Sequence, residues 1–167
     1  MHRVHGSTLI EALTCVAILA IVSYLSLPNF AHLLSQDKPK QQLQVLQRML
    51  NFARIKAVAS QAPITVCPLI KNRCSRKEWH RAITVYIDYQ PKGRVNRGDT
   101  KLHVFKAALD NDELNYPRHS ITFSRFGRLA GLLNGTFVYC TKRKTSLGLS
   151  VSITGRSKIK ASKKCGN

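Results

Sequence analysis

Negative charge is scarce in this chain. Its 167 residues include 8 Asp and Glu against 27 Lys and Arg, a formal net charge of +19 with histidine neutral. Between Arg128 and Asn167 there are nine Lys and Arg and no acid. A field of this sign recruits polyanions, of which nucleic acid, anionic lipid and lipopolysaccharide are the candidates. Charge of either sign is nearly missing at the other end, where Glu11 is the only charged side chain between Ser7 and Asp37. Leu9 to Leu27 is a run of 19 residues, enough to cross a hydrocarbon layer of ~30 Å at ~1.5 Å per helical residue. The length suits one domain plus an anchor.

Catalytic patterns are also lacking. The histidines (His2, His5, His32, His80, His103 and His119) show no metal-ligand spacing such as His-Glu-x-x-His. The acidic stretch Asp110-Asn111-Asp112-Glu113 lacks the ordered spacing and glycine of a calcium loop and reads as a solvated turn. No nucleophile motif, phosphate-cradling glycine loop, internal repeat or low-complexity segment is present. The expectation is a protein that is not an enzyme and has no cofactor and no metal.

The N-terminal run does not suit a secretory signal peptide. Its basic start (Arg3, with His2 and His5) is short, the apolar stretch is too long, and no Ala-x-Ala site precedes Pro28. The small residue, Gly6, stands before the apolar run instead. Glu11 lies inside it, and an acid there is costly unless paired. Gly6-Ser7-Thr8-Leu9-Ile10-Glu11 resembles the leader of type IV pilins and type II secretion pseudopilins. That resemblance implies cleavage by a prepilin peptidase after Gly6, methylation of the new N-terminal Ser7, and a role for Glu11 in filament assembly. There its carboxylate would neutralise the α-amino group of a neighbouring subunit, which costs far less than a lone buried charge. The chain departs from the family at Ser7, where members usually carry Phe.

Downstream, Leu43, Leu46, Leu50, Ala53 and Ala57 recur at helical spacing with polar residues between them, as expected of an amphipathic helix laid on a core. The helix is expected to continue past Pro28, to break or kink at Gln36-Asp37-Lys38-Pro39, and to end at Pro63. Short strands should follow at Ile64–Cys67, Ala82–Tyr89, Leu102–Phe105, Ile121–Ser124, Thr136–Cys140 and Leu147–Thr154. Gly127, Gly131, Gly135 and Gly148 punctuate them. Residues 68–81 read as a basic loop, and residues beyond Thr154 as a basic tail.

This order resembles the FimT/GspH-type minor pseudopilins over nearly the whole chain. The matching pieces are Ala53-Arg54-Ile55-Lys56-Ala57, Val66-Cys67-Pro68, Cys74, Trp79, Val85-Tyr86-Ile87-Asp88, Ile121-Thr122-Phe123, Phe137-Val138-Tyr139-Cys140, Val151 to Ile153 with Gly155-Arg156, and Cys165. The implied fold class is pilin-like α+β: a long N-terminal transmembrane and amphipathic helix packed on two mainly antiparallel β-sheets. The implied organisation is a leader over 1–6, a helix over 7–62 with about 8–29 in the membrane, and a β-rich domain over 63–167. The protein would be a single-pass inner-membrane protein with its domain in the periplasm, incorporated into a pilus or pseudopilus. Its partners would be other major and minor pilins, the prepilin peptidase and the membrane.

Of five cysteines, Cys15 falls in the apolar run and serves as a small apolar residue. Cys67, Cys74, Cys140 and Cys165 allow three pairings, and sequence alone does not choose. Proximity favours Cys67–Cys74, with Cys140–Cys165 as the remainder. A metal site is the competitor, although the spacings are not those of structural zinc.

The best functional candidate is Gly155-Arg156-Ser157-Lys158. It resembles the Gly-Arg-x-Arg motif by which FimT proteins of transformable bacteria contact DNA, with Lys158 in place of the second arginine. Lysine keeps the charge but loses the bidentate fork that grips phosphate. The predicted DNA-binding set is Arg156, Lys158, Lys160, Lys163 and Lys164, with Lys142, Arg143 and Lys144 brought near if Cys140 pairs with Cys165. Arg73, Arg76, Lys77 and Arg81 form a further cluster around Trp79, whose indole is either a core anchor or a stacking surface for a base. Arg94 and Arg97 read as solvated loop charges. Three functions compete: DNA capture by a minor pilin, a purely structural role in priming a pilus or type II secretion filament, and binding of anionic lipid.

Overall fold

The computed structural model describes residues 9–90, 93–106, 112–141, 146–162 and 165, and between residues 25 and 37 the backbone alone. The chain divides into two compact units, Met1–Lys38 and Pro39–Asn167. A single helix, α1 (Leu9–Ser60), is assigned without interruption through Pro28 and Pro39. The break expected at residues 36–39 therefore does not occur. A proline inside a helix removes one hydrogen bond. Here Pro39 is buried, and packing of the turns that follow offsets that loss.

In the first unit the described apolar side chains point outward all round the helix: Leu9, Ile10, Leu13, Val16, Leu19 and Val22 are each more than half exposed. No helix among the described residues is long and apolar enough to cross a membrane. The described side chains stop at Tyr24, before the end of the Leu9–Leu27 run, so the span expected at about residues 8–29 is not shown.

The second unit is built on the other half of α1. Leu43, Leu46, Leu50, Ala53 and Ala57 are all at most 1 % exposed and share a core with both sheets. The two alanines at the C-terminal end let the backbone approach closely. The helix stops where Gln61 takes a left-handed conformation (φ 51°) and returns its backbone and side-chain N–H groups to the Val58 carbonyl. Pro63 then prevents another turn.

Among the described residues five antiparallel strands form the first sheet, in the order β2 (Arg73–Cys74), β1 (Ile64–Ile70), β3 (Ala82–Ile87), β4 (Thr100–Lys106), with β6 (Ile121–Phe123) also paired to β1. Four form the second: β5 (Glu113–Asn115), β7 (Gly135–Cys140), β8 (Ser146–Val151) and β9 (Ser157–Ala161).

Three segments differ from the sequence reading. The basic loop over 68–81 contains the end of β1 and all of β2, joined at Lys71 and Asn72, both in the left-handed region that a two-residue hairpin demands. Glu113, read as part of a solvated turn, opens β5. The first part of the basic tail, Ser157–Ala161, is β9. Its only large apolar residue is Ile159, so alternation alone was too weak to mark a strand. Pairing with β8 supplies what the pattern lacks.

Candidate functional site

The site begins with the connection between β8 and β9. Ser152 N–H donates to the Arg156 carbonyl (2.9 Å) and Gly155 N–H to the Ser152 carbonyl (2.9 Å). The Ser152 hydroxyl reaches both Thr154 Oγ1 (2.8 Å) and the Arg156 carbonyl (3.2 Å). Gly155 sits at φ 78°, buried, and a Cβ there would run into the Gly127 carbonyl oxygen. Only glycine suits the position on both counts. The first residue of the candidate motif is thus a packing requirement that fixes where Arg156 leaves the turn.

From Arg156 onward the chain alternates. Ser157 and Ile159 face inward, Ile159 packing against the core, while Arg156, Lys158 and Lys160 are exposed on the opposite face. At ~3.4 Å per residue, successive cations in this row stand ~7 Å apart. The row is tied to the helix: Gln47 of α1 donates its side-chain amide to the Ser157 carbonyl (2.9 Å). Neither this tether nor the glycine's packing was legible in the sequence, because both join residues far apart along the chain.

The register shows what lies beside the row. Lys158 is opposite Ser150 and Ser150 opposite Thr136; Lys160 is opposite Gly148, Gly148 opposite Val138, and Val138 opposite Asn115. The cations border a floor of small and neutral side chains on the outer face of the second sheet. Glu113, on the same face of β5, is the acid nearest that floor in register.

Two disulfides form, Cys67–Cys74 and Cys140–Cys165, with Cα–Cα separations of 5.5 and 5.6 Å. The second holds the segment after β9 to the end of β7. Ser146 Oγ donates to the Ser162 carbonyl, closing the same end of the sheet. Lys142, Arg143, Lys144, Lys163 and Lys164 lie outside the described residues, as do Gly6 and Ser7. Glu11 is exposed in the first turn of α1. Among the described residues no group of three or more His, Cys, Asp or Glu side chains could hold a metal. Asp112 instead accepts a hydrogen bond from the Tyr139 hydroxyl (2.7 Å).

Trp79 does not offer a face for base stacking. It is fully buried, donates its indole N–H to the Arg118 carbonyl (2.9 Å), and meets Tyr116 and Phe137 edge-on with centroids 5.3 and 5.0 Å away. Of the cations around it, Arg81 is paired with Glu78 at 2.5 Å, whereas Arg73, Arg76 and Lys77 are exposed along a groove of about 1150 Å³.

A long helix whose amphipathic half packs on two antiparallel sheets defines the pilin-like class. The particular family is the type II transport protein GspH family, whose model matches residues 42–155, and the chain belongs to it. Solved structures with the same fold include the type IV minor pilin FimU of Pseudomonas aeruginosa PAO1, at 20 % identity and TM-score 0.60, covering 79 % of this chain and 98 % of that one. A second crystal form of FimU gives 22 % identity and TM-score 0.57 over 76 % of this chain and 99 % of that one. The minor pseudopilin EpsH of the Vibrio cholerae type 2 secretion system gives 16 % identity and TM-score 0.52 over 75 % of this chain and 98 % of that one. No curated protein sequence matches this chain.

Proposed function

We propose that this chain is a minor pilin or pseudopilin that binds double-stranded DNA through the row on β9 and aids DNA uptake in natural transformation. The observation that carries this reading is the row itself: Arg156, Lys158 and Lys160 stand exposed on one face of a strand pinned by Gly155 and Gln47. Phosphate neutralisation by Lys and Arg does not depend on base sequence, and among the described residues no helix of the second unit is presented for groove reading, so binding is non-specific. The proposed set also includes Lys163, Lys164, Lys142, Arg143 and Lys144, which lie outside the described residues. Affinity in the roughly 10⁻⁴–10⁻⁶ M range at physiological salt is expected for such contacts. Weak binding serves uptake, since several subunits on a filament add avidity and the DNA must still be released. The protein acts as a binder and not as an enzyme.

The rest of the family picture accompanies this reading. Prepilin peptidase cuts after Gly6, Ser7 is methylated, and the outward-facing apolar residues from Leu9 onward sit in the inner membrane, with the second unit in the periplasm. A helix apolar on all sides needs an apolar surrounding. Glu11 pairs with the N-terminus of a neighbouring pilin. The second reading, a structural pseudopilin that primes a pilus or type II secretion filament without touching DNA, is favoured by the family match alone.

The deciding experiment is a mobility-shift series on the compact unit Pro39–Asn167, which holds the whole described core. Salt-sensitive binding of duplex DNA that weakens in Arg156→Gln/Lys158→Gln supports the DNA reading. Unchanged binding in that variant leaves the structural role as the better one.

A further inference from the structure

The groove bordered by Arg73, Arg76 and Lys77 opens beside the same sheet face that carries the β9 row. Its floor includes Asn115 of β5 and Thr136 and Val138 of β7. Those are the residues that the register places in line with Lys158 and Lys160: Thr136 through Ser150 to Lys158, and Asn115 through Val138 and Gly148 to Lys160. The groove and the row therefore border one continuous surface. At ~4.8 Å between neighbouring strands, the backbones of β9 and β5 are ~14 Å apart.

The far side of this surface is cationic too. Arg73, Arg76 and Lys77 are exposed, and His119 joins them at the rim. Their position is held firmly. The Cys67–Cys74 disulfide ties the segment to β1, Cys74 N–H donates to the Gly93 carbonyl (2.8 Å), and Ser75 N–H donates to the Pro68 carbonyl (3.0 Å). Buried Trp79 anchors the residues that follow. The only acid along this stretch, Glu78, is engaged with Arg81 and His80. Between the two cationic borders lie neutral side chains of modest size, with Glu113 the one acid on that face among the described residues.

We infer that the groove is a second phosphate-binding site of the same interface, so that a DNA duplex lies across the second sheet, gripped by β9 on one side and by Arg76 and Lys77 on the other. This rests on the DNA-binding reading of β9. Two cationic borders separated by a neutral floor suit a ligand with two charged rails. A single strand needs only one row, and a duplex presents two backbones separated by a groove about 12 Å wide on its major side. The groove is also large for a small anion, since typical ligand pockets hold ~300–1,000 Å³.

The test measures binding of a short fluorescently labelled duplex to the unit Pro39–Asn167 by anisotropy at several salt concentrations. The variants are Arg76→Gln/Lys77→Gln, Arg156→Gln/Lys158→Gln, both pairs together, and Lys101→Gln/Lys106→Gln on β4, at the opposite edge of the first sheet from β2, as a charge-matched control. Arg76 and Lys77 are exposed, and an unchanged thermal midpoint verifies that the fold survives. Loss of two phosphate contacts lowers the log–log salt slope by about 2, at ~0.9 per contact. The expected result is that drop for the groove pair, a further drop in the combined variant, a smaller loss of affinity for single-stranded DNA, and no specific loss in the control. If the groove pair keeps the wild-type slope and affinity while the β9 pair does not, the second site is overturned and the β9 reading stands. If neither pair changes binding, or the wild type does not bind, the DNA reading fails and this inference with it. If the groove pair loses binding to vesicles containing anionic lipid but none to DNA, the groove serves a membrane surface and the inference is overturned.

Discussion

The side-chain amide of Gln47 donates to the backbone carbonyl of Ser157 across 110 positions of sequence, at 2.9 Å. One hydrogen bond thereby couples the amphipathic helix to the strand that presents Arg156 and Lys158. Gln47→Ala should destabilise the unit by about 1 kcal/mol, the usual scale for a half-buried hydrogen bond whose partner is left alone. It should weaken DNA binding less than Arg156→Gln/Lys158→Gln, because it loosens the row without removing charge. Urea denaturation and a mobility-shift titration of the same sample check both statements.

Gly155→Ala should be more damaging. The left-handed backbone alone costs a non-glycine residue roughly 1–2 kcal/mol, and here the added methyl would also collide with the Gly127 carbonyl. The turn must open, which displaces Arg156. A denaturation midpoint equal to that of the wild type would show that the turn is softer than its hydrogen bonds imply.

Removing the disulfides one at a time should give unequal losses. The bridged residues are 7 apart for Cys67–Cys74 and 25 apart for Cys140–Cys165. In the chain-entropy account loops of these lengths correspond to ~2.4 and ~3.5 kcal/mol. Cys140→Ser/Cys165→Ser should therefore lower stability more, and it should also release the end of β9 and weaken DNA binding. Thermal unfolding under non-reducing conditions ranks the two, and peptide mapping without reduction confirms the pairing.

Asp88 sets an unusual pH dependence. It is fully buried, and Oδ1 has no hydrogen-bond partner among the described residues. Burial raises its pKa above 3.8, against the lowering effect of the Thr65 hydroxyl, which donates to Oδ2 at 2.9 Å. The folded state therefore holds this proton more tightly than the unfolded state. Its contribution to stability is present at low pH and is lost as pH rises from 3.8 through the raised folded value. Asp88→Asn should remove that fall. Denaturation midpoints from acid to neutral pH should show a flatter profile in the variant, and parallel profiles would exclude Asp88 as the source.

The mature protein should begin at N-methylated Ser7. Mass spectrometry of the purified full chain decides this, and a cut beyond Leu27 would remove the pilin-type leader from the account.

Local sequence determined the features that depend on neighbours in the chain. The 3–4 spacing of Leu43, Leu46, Leu50, Ala53 and Ala57 marks the buried stripe of α1, because helical periodicity is a local property. The alternation in Ala82 to Ile87 and the Phe137-Val138-Tyr139 pattern marks strands for the same reason. The excess of cations near the C-terminus is likewise visible without a structure. The tertiary structure decided what those cations rest on. Ser157 to Ala161 carries one large apolar side chain, too few to declare a strand, and becomes one by pairing with β8. Asp110 to Glu113 looks like a solvated turn until Glu113 pairs with Cys140. Trp79 sits among exposed cations in sequence, yet it is buried because Tyr116, Phe137 and the Arg118 carbonyl arrive from other elements. Composition sets how much charge there is, but strand register and packing across distant segments decide which charges share a face.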